Sequence, residues 1–449
     1  MSAQKPSIPK GTRDFNAEVL AKRYYIFDTI KNVFVKYGFQ PIETPTLENL
    51  STLTGKYGEE GDRLLFKILN SGDFLKNASY LTDYKKLTYE IAEKGLRYDL
   101  TVPFARYVVM HQNEIAFPFK RYQIQPVWRG DSPQHGRYRE FYQCDADVIG
   151  TNSLVCEAEL IQIYDEVFAK LGIPVTIKIN NRKILQGLSE VVQAPDKLID
   201  ITIAIDKLDK IAWEGVEKEL VEKGLGTQAC EKIKQFVALK ADELEHFFEE
   251  NDIGKKGAEE IKTVFHLLKN ISLVNQIEID YSLARGLNYY TGCILEVKAK
   301  NVKMGSIGGG GRYDDLTGFF GLKGMSGVGI SFGADRIYDV LEELQLFPDL
   351  SGNQTKVLII TFDHENLLYA MPILRRMRDL NIHAELYPEP TKIKKQMDYA
   401  NKRHIPYTVL IGSEEMQTGK LTFKNMLTGE QEKLYAEEIV QKLMNENNA

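Results

Sequence analysis

KRYQIQPVWRGDSPQHGRYREFYQCDADVIG, residues 120–150, reads as a strand, a polar loop and a returning strand. The first strand ends at Arg129, and the loop carries Arg137 and Arg139. The returning strand alternates with period two. Phe141, Gln143, Asp145 and Asp147 share one parity, and Tyr142, Cys144, Ala146 and Val148 share the other. Successive side chains of a strand point to opposite faces, so the second set makes one face and the amide and carboxylates make the opposite one. Alternation alone favours solvent for that polar face. Trp128 and the aromatics beside it point the other way, to a strand pair inside a domain whose polar face floors a site.

The chain has 449 residues, enough for two to four domains that each bury a core. Apolar, charged and aromatic fractions are those of an ordinary globular protein. No apolar run reaches membrane-spanning length, and MSAQKPSIPKGTRDF lacks the apolar core of a signal peptide. The four cysteines, Cys144, Cys156, Cys230 and Cys293, form no CxxC pair, so buried thiols in a reducing cytoplasm are expected. Seven histidines without close pairing give no metal centre. A net charge of −6 argues against gripping nucleic acid by bulk electrostatics but leaves room for local basic patches.

Outward from 120–150, residues 17–37 have helical spacing and Gly38 ends the helix. FQPIETPTLE follows as a short strand. Phe66–Leu69 and Arg97–Leu100 look like short strands, with 73–94 a loop or ragged helix between them. Thr101–His111 and Leu154–Leu171 read as helices, and VTIKINN (175–181) as a strand. Residues 182–275 are rich in Lys and Glu at helical spacing, which indicates a helical insertion. Strand-rich text resumes at Glu278. LFPDLSGNQT (346–355) is a turn-rich linker, and beyond it alternating strands and helices predict a small α/β unit with a largely parallel sheet. Its helices carry Arg375, Arg376, Arg378, Lys392, Lys394, Lys395, Lys402 and Arg403, a candidate RNA-facing patch.

No GxxxxGK[ST] is present, and GSIGGGGRYDDLTG (305–318) is glycine-rich without a dinucleotide fingerprint. Arg129, Arg285 and Arg336 each sit at the end of a predicted strand or the start of a helix. Arginine stays charged and offers a planar fork of donors, which suits phosphate chemistry. A surface ion pair is the ordinary role of any one of them.

GRYREFYQCDADVIG (136–150) resembles motif 2 of the class II aminoacyl-tRNA synthetases, in wording most similar to the histidyl-tRNA synthetase family. LRYDLTVPFARY (96–107) and LARGLNYYTG (283–292) resemble that family's histidine-recognition segments, and the likeness runs from KGTRDF (10–15) into the C-terminal unit. The resemblance implies an α+β catalytic domain with a six-stranded antiparallel class II sheet, a helical insertion and a C-terminal α/β anticodon-binding domain. The boundaries expected are 1–181 and 276–345 for the two catalytic parts, 182–275 for the insertion, 346–355 for the linker and 356–449 for the last domain. It implies a histidine–tRNA ligase that uses ATP with Mg2+, L-histidine and tRNA(His), works in the cytoplasm as a homodimer through 17–48, and touches no membrane. A non-catalytic regulator sensing histidine or uncharged tRNA is the alternative. By resemblance, Arg129, Arg285 and Arg336 are the catalytic arginines, and Arg129, Arg137 and Arg336 hold ATP. Asp99, Thr101, Arg129, Gln143, Asp147, Arg285, Tyr289, Tyr290 and Tyr313 form the histidine pocket. Many family members read RGLDYY, and this chain has Asn288 in that segment, which keeps size and an acceptor but loses the charge.

Overall fold

Residues 5–55, 58–240, 243–284, 290–350 and 355–447 are described in the computed structural model, and the chain divides into two units, Met1–Phe347 and Pro348–Ala449. The first unit holds β1 (Gln40–Pro41), β2 (Leu47–Asn49), β3 (Lys67–Ile68), β4 (Lys94–Leu96), β5 (Phe119–Trp128), β6 (Glu140–Ile149), β7 (Val175–Asn181), β8 (Gln276–Ile279), β9 (Cys293–Ala299), β10 (Gly308–Asp314) and β11 (Ser326–Gly333). The main sheet has eight strands in the order β1-β5-β6-β11-β10-β9-β7-β8. Its six central strands pair antiparallel, as the resemblance implied. The edges add something the sequence reading lacked, because β1 and β8 each pair parallel to their neighbours.

The alternation of β6 is realised. Cys144, Ala146 and Val148 are buried against Ile26, Ile30, Val33 and Phe34 of helix Ala17–Lys36 and Leu160, Ile163 and Val167 of helix Val155–Lys170. The first helix stops at Gly38, whose φ of +81° suits a residue without Cβ. The apolar stripe of this helix is therefore used up on its own sheet. The opposite face of β6 is not solvent: Asp145 is 2% and Asp147 3% exposed. Period two locates a face but says nothing about what covers it, and the expectation of a solvated face is overturned.

The helices of the 182–275 stretch share a continuous apolar core with the sheet through Ile184, Leu188, Ile261 and Val264. Helices Arg182–Val191 and Asp252–Leu268 cross closely enough that a Cβ on Gly187 would meet Gly254 Cα at 2.5 Å. The expected strand at Arg97–Leu100 lies earlier, at β4, while 84–91 is a helix. Arg97 explains the shift. Its buried guanidinium donates to Thr44 O at 2.7 Å and Pro126 O at 2.8 Å, and Asp99 then caps helix Thr101–Met110 through Val102 N–H, so 97–100 leaves the extended conformation.

In the second unit, β12 (Val357–Thr361), β13 (Ala384–Leu386), β14 (Tyr407–Ile411), β15 (Leu421–Asn425) and β16 (Gln431–Leu434) order as β13-β12-β14-β15-β16. The first three pair parallel, but β15 and β16 add antiparallel strands, so the sheet is mixed rather than largely parallel. Val357 and Ile359 enter one core, and Leu358 and Ile360 enter another, which gives β12 apolar layers on both faces.

A buried ion pair ties β10 to helix Val155–Lys170. Arg312 donates Nε–H to Glu157 Oε1 at 2.5 Å and Nη2 to Oε2 at 2.7 Å, with further bonds to Thr151 O and Ser326 Oγ. Glu157 is 0% exposed. Glu157→Ala is expected to destabilise this unit by about 3–5 kcal/mol, because it strands a buried cation. Urea unfolding followed by near-UV circular dichroism measures it, and a loss below about 1 kcal/mol contradicts the assignment.

Candidate active site

The polar faces of β5 and β6 meet in register. Arg121 pairs with Asp147, Gln123 with Asp145, and Gln125 with Gln143. Arg121 Nη2 lies 2.7 Å from Asp147 Oδ2, and its guanidinium stacks 4.3 Å above the Phe104 ring. Tyr313 on β10 donates its hydroxyl to Asp147 Oδ1 at 2.6 Å. Asp147 is thus held by an ion pair at Oδ2 and by a hydrogen bond at Oδ1. Gly327 and Gly329 on β11 make this possible, since a Cβ on either would overlap the Tyr313 ring or the Asp147 carboxylate. Burial lifts the Asp147 carboxyl above the usual aspartate range, against the pull of Arg121 and of Tyr313. Burial pushes Asp145 up to about 7, opposed by Arg121 and reinforced by Asp147. Burial also raises the Tyr290 hydroxyl, with Asp147, Asp145 and Asp99 adding to it.

Beside this cluster opens a cavity of about 260 Å³ lined by Arg129, Arg137, Gln143, the Ser306–Gly309 turn, Ser331 and Arg336. Arg129 donates Nε–H to Tyr98 O at 3.1 Å and stacks between Tyr98 and Phe141, with ring centroids 4.4 and 5.2 Å away. Arg336 donates to Gly136 O at 2.9 Å and Ser306 O at 2.6 Å. Arg137 is half-exposed on the loop, 3.3 Å from Asp131. Gln143 donates to Ser331 Oγ at 3.1 Å.

Of the residues expected from sequence, Arg129, Arg137, Gln143 and Arg336 line one cavity. Asp147 and Tyr313 lie behind it, almost wholly buried. Asp99 and Tyr290 are close enough to these carboxylates to shift their titration or be shifted by them. Thr101 is the first residue of the helix that Asp99 caps. Arg285, Asn288 and Tyr289 lie outside the described residues.

Sequence reading passed over Arg121 and Gln123, although KRYQIQ carries the same period-two signal as β6. It also passed over Asp335, which lines the cavity and joins four segments. Asp335 Oδ1 accepts from Arg13 and Arg23, both at 2.5 Å, and Oδ2 accepts from Tyr142 N–H at 3.1 Å. Arg13 also stacks 3.3 Å over Tyr138 of the loop. No local pattern could have revealed contacts across more than three hundred residues of chain.

The site has two electrical ends. Asp99, Asp145 and Asp147 outnumber Arg121 at one end, which suits a cation. Arg129, Arg137 and Arg336 dominate the other, which suits a polyphosphate.

Comparison with known proteins bears on that arrangement. Residues 79–337 match the family model for histidyl-tRNA synthetase, and 356–446 match that for an anticodon binding domain. The histidine–tRNA ligase of Christiangramia forsetii is 61% identical over 445 residues, covering 96% of this chain and 98% of that one. The crystal structure of histidyl-tRNA synthetase from Nostoc sp. PCC 7120 superposes with a TM-score of 0.81 at 30% identity, covering 99% and 100% of the two chains. A Bacillus halodurans chain described as an ATP phosphoribosyltransferase regulatory subunit/histidyl-tRNA synthetase shares the fold at TM-score 0.71 and 20% identity, covering 88% of this chain and 97% of that one. Near-full-length identity to a ligase, a matching catalytic model and a site divided between carboxylates and arginines agree: the chain belongs to the histidyl-tRNA synthetase family.

Proposed function

We infer that the carboxylate end of the site binds the ammonium and imidazole of histidine and that the arginine end binds ATP. The activity is that of a histidine–tRNA ligase, with histidine, ATP and tRNA as substrates. The observation that carries the assignment of residues is the division of charge within one cavity and its floor. Asp147 faces the ring, oriented by Arg121 and Tyr313. Asp99, Thr101 and Gln143 take the amino group, with Tyr289 and Tyr290 beside the ring. Arg129 reaches the α-phosphate and Arg336 the γ-phosphate, with Arg137 over them on the loop. Arg285 joins Arg129 at the α-phosphate by resemblance to the family.

A carboxylate oxygen of histidine then attacks the α-phosphorus, the bond to the β-phosphate oxygen breaks, and pyrophosphate leaves. The terminal ribose hydroxyl of tRNA(His) next attacks the acyl carbon and AMP leaves. Positioning and charge stabilisation carry both steps. Mg2+ would accompany ATP as the counterion of its phosphates. Among the described residues no cluster of three or more His, Cys, Asp or Glu side chains is arranged to hold a metal.

The second unit is assigned to the tRNA anticodon arm. Lys392, Lys394, Lys395, Lys402 and Arg403 are all exposed along helix Ile393–Lys402 and its ends. The domain boundaries set out above are kept, with the last domain starting at residue 356. The protein is placed in the cytoplasm, which its four buried free cysteines support, and no helix among the described residues is long and apolar enough to cross a membrane. A homodimer is proposed on a changed ground. The stripe of helix Ala17–Lys36 is already covered, but Tyr24, Val35 and Leu47 are exposed, as are Leu75, Tyr80, Leu81, Tyr84 and Tyr89.

ATP–pyrophosphate exchange with each of the twenty standard amino acids tests the central assignment. Exchange should occur with histidine alone, and Arg129→Ala should cut it by ~10²–10³, well beyond its effect on histidine binding. A loss under about fivefold removes Arg129 from the reacting phosphate. Removing everything after Leu350 should leave histidine-dependent exchange in place and raise the tRNA KM sharply. Intact charging of tRNA by the truncated chain would refute the anticodon assignment. Sedimentation velocity should show a dimer at micromolar concentration, and an active monomer there would exclude it.

A further inference from the structure

Asp145 adds charge to the carboxylate end but is given no substrate group in the assignments above, and it sits between Gln143 and Asp147 on the same face of β6. It is 2% exposed, and across the sheet it lies opposite Ser331 on β11. Asp145 Oδ1 is buried without a hydrogen-bond partner among the described residues, and the neighbouring Ser331 hydroxyl draws the titration of the carboxyl down. The same Ser331 oxygen accepts from Gln143 Nε2 at 3.1 Å. Gln143 Oε1 is buried without a hydrogen-bond partner among the described residues.

These facts fix a direction. An ionised carboxylate only accepts, so the Ser331 hydroxyl opposite it can serve the open Asp145 oxygen only as a donor. That leaves its lone pairs for an N–H, so Gln143 must turn its NH2 towards Ser331. The amide oxygen is then the atom offered to the cavity. An ammonium group has three donors and no acceptor, so an oxygen suits it and an NH2 repels it.

We propose that Asp145 and Ser331 are positioning residues that hold the Gln143 amide with its oxygen towards the substrate's ammonium group, and so set selectivity for an amino acid over its deaminated analogue. This rests on the assignment of Gln143 to the amino group.

The arrangement is sensitive to protonation. Asp145 is faced by Arg121 from β5, Asp147 from its own strand, Asp99 from the turn before helix Thr101–Met110, Tyr164 from helix Val155–Lys170, and Tyr290. Its carboxyl, pushed up to about 7, is ionised above that pH and neutral below it. A neutral carboxyl donates a proton of its own. It can then give a hydrogen bond to Ser331, freeing the serine proton to turn to Gln143 Oε1. The acceptor needed by the ammonium is lost as pH falls through this range.

The test measures KM for histidine and the competitive Ki of imidazolepropionate, which lacks the amino group, in the exchange assay. Wild type, Gln143→Ala, Ser331→Ala and Asp145→Asn are compared between about pH 6 and pH 8. Ser331→Ala should raise the histidine KM about 5- to 20-fold at the high end while moving the imidazolepropionate Ki less than about twofold. Its deficit relative to wild type should shrink as pH falls, and the substrate's own ionisations cancel in that ratio. Asp145→Asn should remove the pH dependence of the ratio. If Gln143→Ala leaves histidine KM unchanged, the assignment of the amino group is wrong and the proposal falls with it. If Gln143→Ala weakens histidine while Ser331→Ala does not, the assignment stands and the positioning role is overturned. A Ser331→Ala variant that weakens both ligands equally acts through structure alone, which also overturns it.

Discussion

The buried contact between Arg121 and Asp147 constrains the whole catalytic unit. Arg121 is 0% and Asp147 3% exposed, so neither charge has water to fall back on. Neither partner can be buried there without the other, since removing one leaves an uncompensated charge in the interior. That requirement fixes the register of β5 on β6, because a slip of one residue would turn Arg121 into the apolar core and Tyr122 into the site. It also fixes β10, since Tyr313 supplies the remaining partner of the carboxylate. β11 lies between β6 and β10, and two of its side chains must be absent for the tyrosine and the carboxylate to meet. The glycine-rich text of β11 is thus a consequence of a polar contact made across it.

How far this was legible in the sequence follows from the range of each signal. The period of β6 correctly divided Cys144, Ala146 and Val148 from Gln143, Asp145 and Asp147. It could not say that the polar face was covered, because the cover comes from β10, β11 and residues near Asp99, all distant in sequence. The same period in β5 was present in KRYQIQ and would have exposed the Arg121–Asp147 pairing had the two strands been set against each other. β4 was displaced because Leu96-Arg97-Tyr98 looks like strand text, whereas the Arg97 guanidinium is spent on pinning neighbouring loops. β15 and β16 were overlooked because charged and polar residues dominate them. The functional segments stood out through family wording, which carries information that periodicity does not.

The arginines of the unit fall into classes that sequence alone does not separate. Arg23 and Arg312 spend donors on buried carboxylates, and their charge is cancelled where it stands. Arg97 is wholly buried among carbonyls, and burial lowers its titration to about 10. It remains a cation at neutral pH, and its donors go to the carbonyls of Thr44 and Pro126, so it serves as a fastening.

Arg129 and Arg336 combine the useful half of each class. Both donate to backbone carbonyls, of Tyr98 in one case and of Gly136 and Ser306 in the other. Both also line the cavity. A carbonyl orients a guanidinium without supplying a full opposing charge, whereas a carboxylate would orient it and cancel it. These carbonyl bonds themselves cost little of the field that a phosphate ligand will meet. Asp335 lines the same cavity and could have spoiled this, since it is adjacent in sequence to Arg336. Its oxygens are instead occupied by Arg13, Arg23 and the Tyr142 amide, so its negative charge is met by two cations. The N-terminal segment therefore does electrostatic work at a distance: Arg13 holds the loop through Tyr138 and at the same time screens the phosphate end from a carboxylate that the helix start places there.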